Sequence, residues 1–145
     1  MTKNLYLVRH AKAEPQSTGL PDFDRQLNDI GMQEATKMGK LLSDLQIKPD
    51  LIVSSPASRT TTTAEILCDW LDYTASAIRF EMLIFESASM EKLLGIINGF
   101  SEEKQHIILV GHNPLISYLA EYLTGENVGD LPTGGTACIG WESIP

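Results

Sequence analysis

The chain alternates short continuous apolar runs with longer stretches in which apolar residues recur every three or four positions. The runs at residues 5–8, 51–53, 107–110 and 137–141 are rich in β-branched or large side chains, as expected of strands buried on both faces. A weaker strand is expected near residues 78–83. Between residues 29 and 45, Ala35, Met38, Leu41, Leu42 and Leu45 share one helical face, with Asn28 placed to cap the first turn. A second helix is expected to be capped by Ser55 and to carry Pro56 in its first turn, with Ala57, Thr60, Ala64, Leu67 and Leu71 on its buried face. Arg59 then lies near its start. A third helix runs from about Ser89 through Phe100, and a fourth from Asn113-Pro114 to a C-cap at Gly125.

Strands that alternate with helices in this order predict an α/β fold: a three-layer sandwich with a mostly parallel central sheet of about five strands and helices on both faces. The irregular stretches at 11–27 and 126–136 read as loops, so residues 1–145 are expected to form a single domain. With 43% hydrophobic residues in 145, such a domain can bury a core without disulfides or metal. Cys68 and Cys138 have neither redox nor zinc spacing, and residues 5–9 follow the start too closely for a secretory signal, so a cytoplasmic monomer without a membrane anchor is expected.

The formal net charge of −8 opposes binding to nucleic acid, whose affinity rests on clustered Lys and Arg. Against that negative field, basic residues at the carboxyl ends of strands become informative, because in open α/β sheets those ends border the binding crevice. Arg9-His10 ends the first strand, Ser54 to Arg59 follow the second, and Gly111-His112-Asn113-Pro114 follow the strand at Ile107. An arginine at a helix N-terminus faces an unfavourable dipole unless an anion offsets it, and a phosphate would do so. Two arginines and two imidazoles suffice to hold a phosphoryl group and attack it, since neutral imidazole is itself a nucleophile.

Leu7-Val8-Arg9-His10-Ala11, Ser54-Ser55-Pro56-Ala57-Ser58-Arg59-Thr60, Thr63-Ala64 and Val110-Gly111-His112-Asn113-Pro114 together resemble the histidine phosphatase superfamily, whose fold is phosphoglycerate mutase-like. Short length, Ala11, Asp24-Arg25-Gln26-Leu27 with Gly31, and Leu131-Pro132-Thr133-Gly134 are similar to its small phosphohistidine phosphatase branch. The resemblance implies that His10 is transiently phosphorylated, while Arg9, Arg59 and His112 bind the phosphate; imidazolium character at His112 would add a third positive group. It further implies a phosphorylated protein as substrate, in relatives of this size a histidine phosphotransfer domain, and neither metal nor cofactor.

Glu86 is the candidate proton donor, expected just after the weak strand; its competing reading is a surface acid ahead of the helix at Ser89. Arg25 is a candidate substrate contact, with a surface ion pair to Asp22 or Asp24 as its competing reading. Two other functions stay open. A metal hydrolase using His10, His112 and a carboxylate would have to place a dication beside two arginines. A non-catalytic phosphoprotein-binding module would use the arginines as an anion clamp but has no need of His10. Small phosphomonoesters are the alternative substrates.

Overall fold

Side chains along β1 (Lys3–Arg9) alternate between two hydrophobic layers, Leu5 and Leu7 entering one, Tyr6 and Val8 the other. The computed structural model describes residues 3–86, 89–100 and 103–141, with Thr18 and Trp141 as backbone only. In β2 (Leu51–Ser54) and β4 (His106–Gly111), Val53, Ile107 and Leu109 join the first layer, and Ile52, Ile108 and Val110 the second. A strand that is apolar at every position must be covered on both sides, and the helices do this. α1 (Asp29–Asp44) and α2 (Ser58–Leu71) bury Leu42, Ala64, Leu67 and Leu71 against the Tyr6 side. α3 (Met82–Phe85), α4 (Met90–Asn98) and α5 (Leu115–Thr124) bury Ile84, Leu93, Ile97, Ile116 and Leu119 against the other. Truncating a fully buried centre-strand residue such as Ile108 to alanine should cost about 2–5 kcal/mol.

The sheet runs in the order β3-β2-β4-β1-β5, with β3 at Arg79–Phe80 and β5 at Thr136–Trp141. β1, β4, β2 and β3 are parallel, whereas β5 lies antiparallel along β1. The expected mostly parallel three-layer α/β fold is therefore present. β1 and β4 are neighbours, yet the chain leaves β1 for α1 on one face and β4 for α5 on the other. Divergence of the two connections opens a crevice at the carboxyl ends of these strands. Register fixes what lies there: Arg9 pairs with Gly111 and Ser54 with Val110, and the ladder runs one residue further through His10 N–H to Gly111 O and Ser55 N–H to Val110 O. His10, His112 and Ser55 thus emerge at one level.

Asn28 caps α1 by accepting from Gly31 N at 2.8 Å, Ser89 caps α4 through Lys92 N, and Gly125 ends α5 in a left-handed conformation. Two expectations are corrected. α2 starts at Ser58 rather than at Ser55-Pro56, because Ser55 continues the β-ladder through its N–H and turns its hydroxyl to other partners. The weak strand is only Arg79–Phe80, after which the chain bends through Glu81 N–H to Ser54 O and forms α3, so Glu86 follows a helical turn and not a strand. Amphipathic edge segments obey whichever neighbour they find, and here Ile84 is buried by coiling.

Candidate active site

His10 is the first residue beyond β1 and is 91% shielded from solvent, as its relative exposure is 9%. Its Nδ1 lies 2.7 Å from Ala11 O. A carbonyl only accepts, so Nδ1 carries the hydrogen and Nε2 of the neutral ring keeps a free lone pair. Several contacts hold the backbone beneath this ring. Gly134 N donates to both Arg9 O and His10 O, and Ala11 N donates to Thr63 Oγ1, whose own hydroxyl donates to Arg59 O. Gly134 takes φ +72°, and the preceding Thr133 hydroxyl reaches Glu34, which also accepts from Lys12 N. Gly31 is needed on the same side, since a Cβ there would run into the Lys12 carbonyl. The residues that carry the family resemblance therefore clamp the strand end that bears His10.

His112 follows β4, and its ring centroid is 5.3 Å from that of His10. Its Nε2 is 2.8 Å from the hydroxyl of Ser55, which is fully buried and also accepts from Ala57 N at 3.3 Å. A buried hydroxyl hydrogen needs an acceptor, and among the described residues His112 Nε2 is the one in reach. His112 therefore accepts at Nε2 and carries its hydrogen on Nδ1. That Nδ1 is buried without a partner, as are Arg9 Nε and Arg59 Nε. Buried N–H groups left unpaired cost about 1–3 kcal/mol each, so these three, on residues around the His10–His112 pair, call for acceptor oxygens. A phosphoryl group brings three. A fourth such atom among the described residues, Thr136 Oγ1, starts β5 opposite Val8.

The remaining guanidinium nitrogens are largely engaged. Arg9 Nη1 donates to Leu131 O at 2.9 Å. Arg59 donates through Nη1 to Asp22 O at 2.7 Å and through Nη2 to Asp22 Oδ2 at 3.1 Å. The carboxylate that offsets the helix dipole at Arg59 is thus supplied from the long loop after β1. Arg25 pairs with the other oxygen of the same carboxylate, donating from Nε at 3.1 Å and Nη2 at 2.9 Å to Asp22 Oδ1, and from Nη1 to Glu14 O. Arg25 thus forms the ion pair with Asp22 that its competing reading expects, and its charge also reaches both imidazoles.

Burial, then the Arg59, Arg9 and Arg25 charges, push His10 down to about 4, against the pull of the Ala11 carbonyl. Burial and Arg59 push His112 down to about 3, and Asp22 only partly opposes them. Burial and the arginine charges thus leave both rings neutral at pH 7, and the positive charge of the site comes from its arginines. Burial would raise Asp22, but hydrogen bonds from Gln16 and Arg25 and the charge of Arg59 outweigh it and bring Asp22 to about 2.

Glu86 is not drawn into this cluster. It is exposed at the end of α3, and its side chain makes no hydrogen bond or ion pair with a described residue. Its neighbour Phe85 does reach the site, edge-on to His112 at 5.7 Å and to Phe23 at 5.0 Å. His106 sits at the far end of β4, beside Asn4. A concavity of about 510 Å³ bordered by Lys48, Trp70 and Asp72 lies at the C-terminal ends of α1 and α2, and it contains neither histidine nor arginine. Volume is therefore no guide to the chemistry in this fold.

The sequence model of the histidine phosphatase superfamily (branch 1) matches residues 5–81, the segment that carries Arg9, His10, Arg25 and Arg59. The chain belongs to the histidine phosphatase superfamily. Within it the likeness is to the SixA group. The "putative phosphohistidine phosphatase SixA" of Agrobacterium tumefaciens superposes with a TM-score of 0.85 at 34% identity, covering 94% of this chain and 90% of that one. The protein histidine phosphatase SixA in complex with tungstate shares the fold at TM-score 0.84 and 21% identity, over 93% of this chain and 86% of its own. An uncharacterized chloroplastic protein of Arabidopsis thaliana is 30% identical over 88% of this chain, which spans 62% of that relative's length.

Ser55, Asp22 and Glu34 are site residues that the sequence reading did not assign. Ser-Pro before a helix normally signals a cap, which is the role the sequence suggests for Ser55, and the sequence offers Asp22 only its neighbour Arg25 as a partner. Nothing local marks Glu34, since its partners Lys12 and Thr133 are 22 and 99 residues away.

Proposed function

We propose that this protein is a phosphatase that removes phosphate from a phosphoprotein, preferentially from phosphohistidine, through a covalent phosphohistidine on His10. The observation that carries the reading is the free Nε2 of a neutral His10 beside three unpaired N–H donors on Arg9, Arg59 and His112. His10 Nε2 attacks phosphorus in line as the bond to the substrate nitrogen breaks, and the substrate ring, protonated from solvent water, departs as neutral imidazole. Water then attacks the phosphohistidine, giving inorganic phosphate and restoring the neutral ring. Guanidinium and imidazole N–H groups that are already oriented stabilise the equatorial charge without reorganisation. Imidazole is a better leaving group than an alkoxide, so the reaction does not demand a well-placed acid, in keeping with the exposed position of Glu86. Likeness to the Agrobacterium SixA protein over nearly the full length supports the phosphohistidine preference.

A rapid-quench reaction with 32P-labelled phosphohistidine protein, run with a chelator present and resolved on alkaline gels, tests this directly. Label should pass through the wild type and appear as phosphate, and His10→Ala should do neither. Turnover that continues in His10→Ala ends the covalent mechanism, turnover abolished by the chelator favours a metal hydrolase, and binding of the phosphoprotein without turnover favours the binding module.

A further inference from the structure

The charged groups around the pocket are tied to one another through Asp22. All three nitrogens of Arg25 already donate, two of them to Asp22 and one to Glu14 O. Both terminal nitrogens of Arg59 are taken by Asp22, one by its carbonyl and one by its carboxylate. Gln16 adds a further bond to Asp22 at 3.0 Å, so the carboxylate is held from three sides rather than free to swing away. Its side chain is nonetheless 40% exposed, whereas that of Arg59 is 7% exposed and that of Arg25 17%. The negative group therefore faces outward at the mouth, with the positive groups behind it. A phosphate whose carrier bears a second anionic group would bring that group up to the exposed Asp22 carboxylate, which already holds Arg25 and Arg59.

We infer that Asp22 is a specificity-determining residue, a built-in carboxylate that takes the place a substrate's second anionic group would need and so restricts the site to phosphoryl groups borne on carriers without an adjacent negative charge. This rests on the proposed phosphohistidine activity and deepens it. Phosphohistidine on a protein presents its phosphoryl on an imidazole with no neighbouring acid attached to the same small molecule. A phosphorylated hydroxy acid or a bisphosphate, by contrast, brings a carboxylate or second phosphate within a few bonds. At a separation of about 6 Å and an effective dielectric between that of water and a protein surface, one such repulsion amounts to roughly a 3- to 30-fold loss in affinity. Asp22 also braces Arg59, so a purely structural role would weaken every phosphate ligand alike. Selectivity between ligands separates the two roles.

Isothermal titration calorimetry with ethyl phosphate and 2-phosphoglycolate, which differ by the carboxylate and are each used as the non-hydrolysable phosphonate analogue, tests this without turnover. The wild type should bind ethyl phosphate more tightly than phosphoglycolate. Asp22→Asn should shift the ratio of their affinities roughly 3- to 30-fold towards phosphoglycolate, and Asp22→Glu should keep the ratio near that of the wild type. Wild-type protein that prefers phosphoglycolate overturns the inference with no variant needed, which covers the case of a misfolded Asp22→Asn. An equal change for both ligands in Asp22→Asn also overturns it and leaves Asp22 as a brace for Arg59. These are equilibrium affinities, so a failure of the phosphohistidine reading, seen as an absent phosphoenzyme in the rapid-quench experiment, is recorded separately.

Discussion

Ser55→Ala isolates the contact that sets the hydrogen on His112. The substitution removes the hydroxyl 2.8 Å from His112 Nε2 and the acceptor for Ala57 N, in a position with no solvent exposure to supply a replacement. Two buried groups then lose their partner, which at about 1–3 kcal/mol for an unsatisfied group should lower the melting temperature by several degrees. The functional effect has a different origin. Without the serine hydrogen, nothing favours the Nδ1–H form of a ring that burial and Arg59 already keep neutral. In the other tautomer Nδ1 has a lone pair facing the phosphoryl oxygens, so a donor becomes a repulsive group. Removing one preorganised donor from such a site costs about 10²–10³ in kcat, and a ring that divides its time between tautomers should lose part of that, on the order of 10- to 100-fold. The assay is kcat and KM on a phosphoramidate for both proteins, with 15N spectra of the His112 ring to report which nitrogen is protonated. A variant that melts lower but keeps kcat/KM within about twofold, with an unchanged ring spectrum, would refute the tautomer argument and leave Ser55 as packing.

Acid should destabilise the protein through its imidazoles: both are held below 6.5, at about 4 and about 3, so the unfolded chain binds more protons as pH falls below 6.5. Their contribution is complete above pH 6.5 and is lost progressively as pH falls from 6.5 to about 4 for His10 and about 3 for His112, on the order of 3–5 kcal/mol per ring, whereas that of Asp22 is lost only from 3.8 down to about 2. Urea denaturation at pH 7.5 and 5.0 should show the loss in the wild type and a flatter profile in a His10→Gln, His112→Gln double variant; equal wild-type stability at the two pH values would contradict the burial of neutral rings. If Glu86 reaches the leaving group once substrate is bound, Glu86→Gln should slow alkyl phosphate esters at least about tenfold more than phosphoramidates, because the poorer leaving group needs the proton. Equal rates for the two substrates relative to wild type would leave Glu86 as a surface acid.

The sequence by itself determined the elements and the chemistry they carry. Runs that are apolar at every position, such as 107–110, bounded by turn residues and rich in β-branched side chains, favour strands covered on both faces, and the three-and-four spacing from Ala35 to Leu42 favours a helix. Arg9, His10, Arg59 and His112 stand at the ends of those elements, so once the strands are parallel and in register the four residues have to meet. Local signals decided the caps at Asn28, Ser89 and Gly125 for the same reason: the partner lies within a few residues. Tertiary structure alone decided the protonation and the occupancy of the site. Whether Ser55 caps a helix or holds an imidazole depends on β4 arriving beside β2, and whether Asp22 answers Arg25, Arg59 or both depends on how the loop after β1 folds over α2. The same is true of Glu86, whose segment coils instead of extending because Ile84 finds its place in the core as a helical turn. Periodicity records which side of an element is buried, whereas hydrogen bonds and electric fields depend on distances between residues far apart in the chain, and those distances exist only after packing.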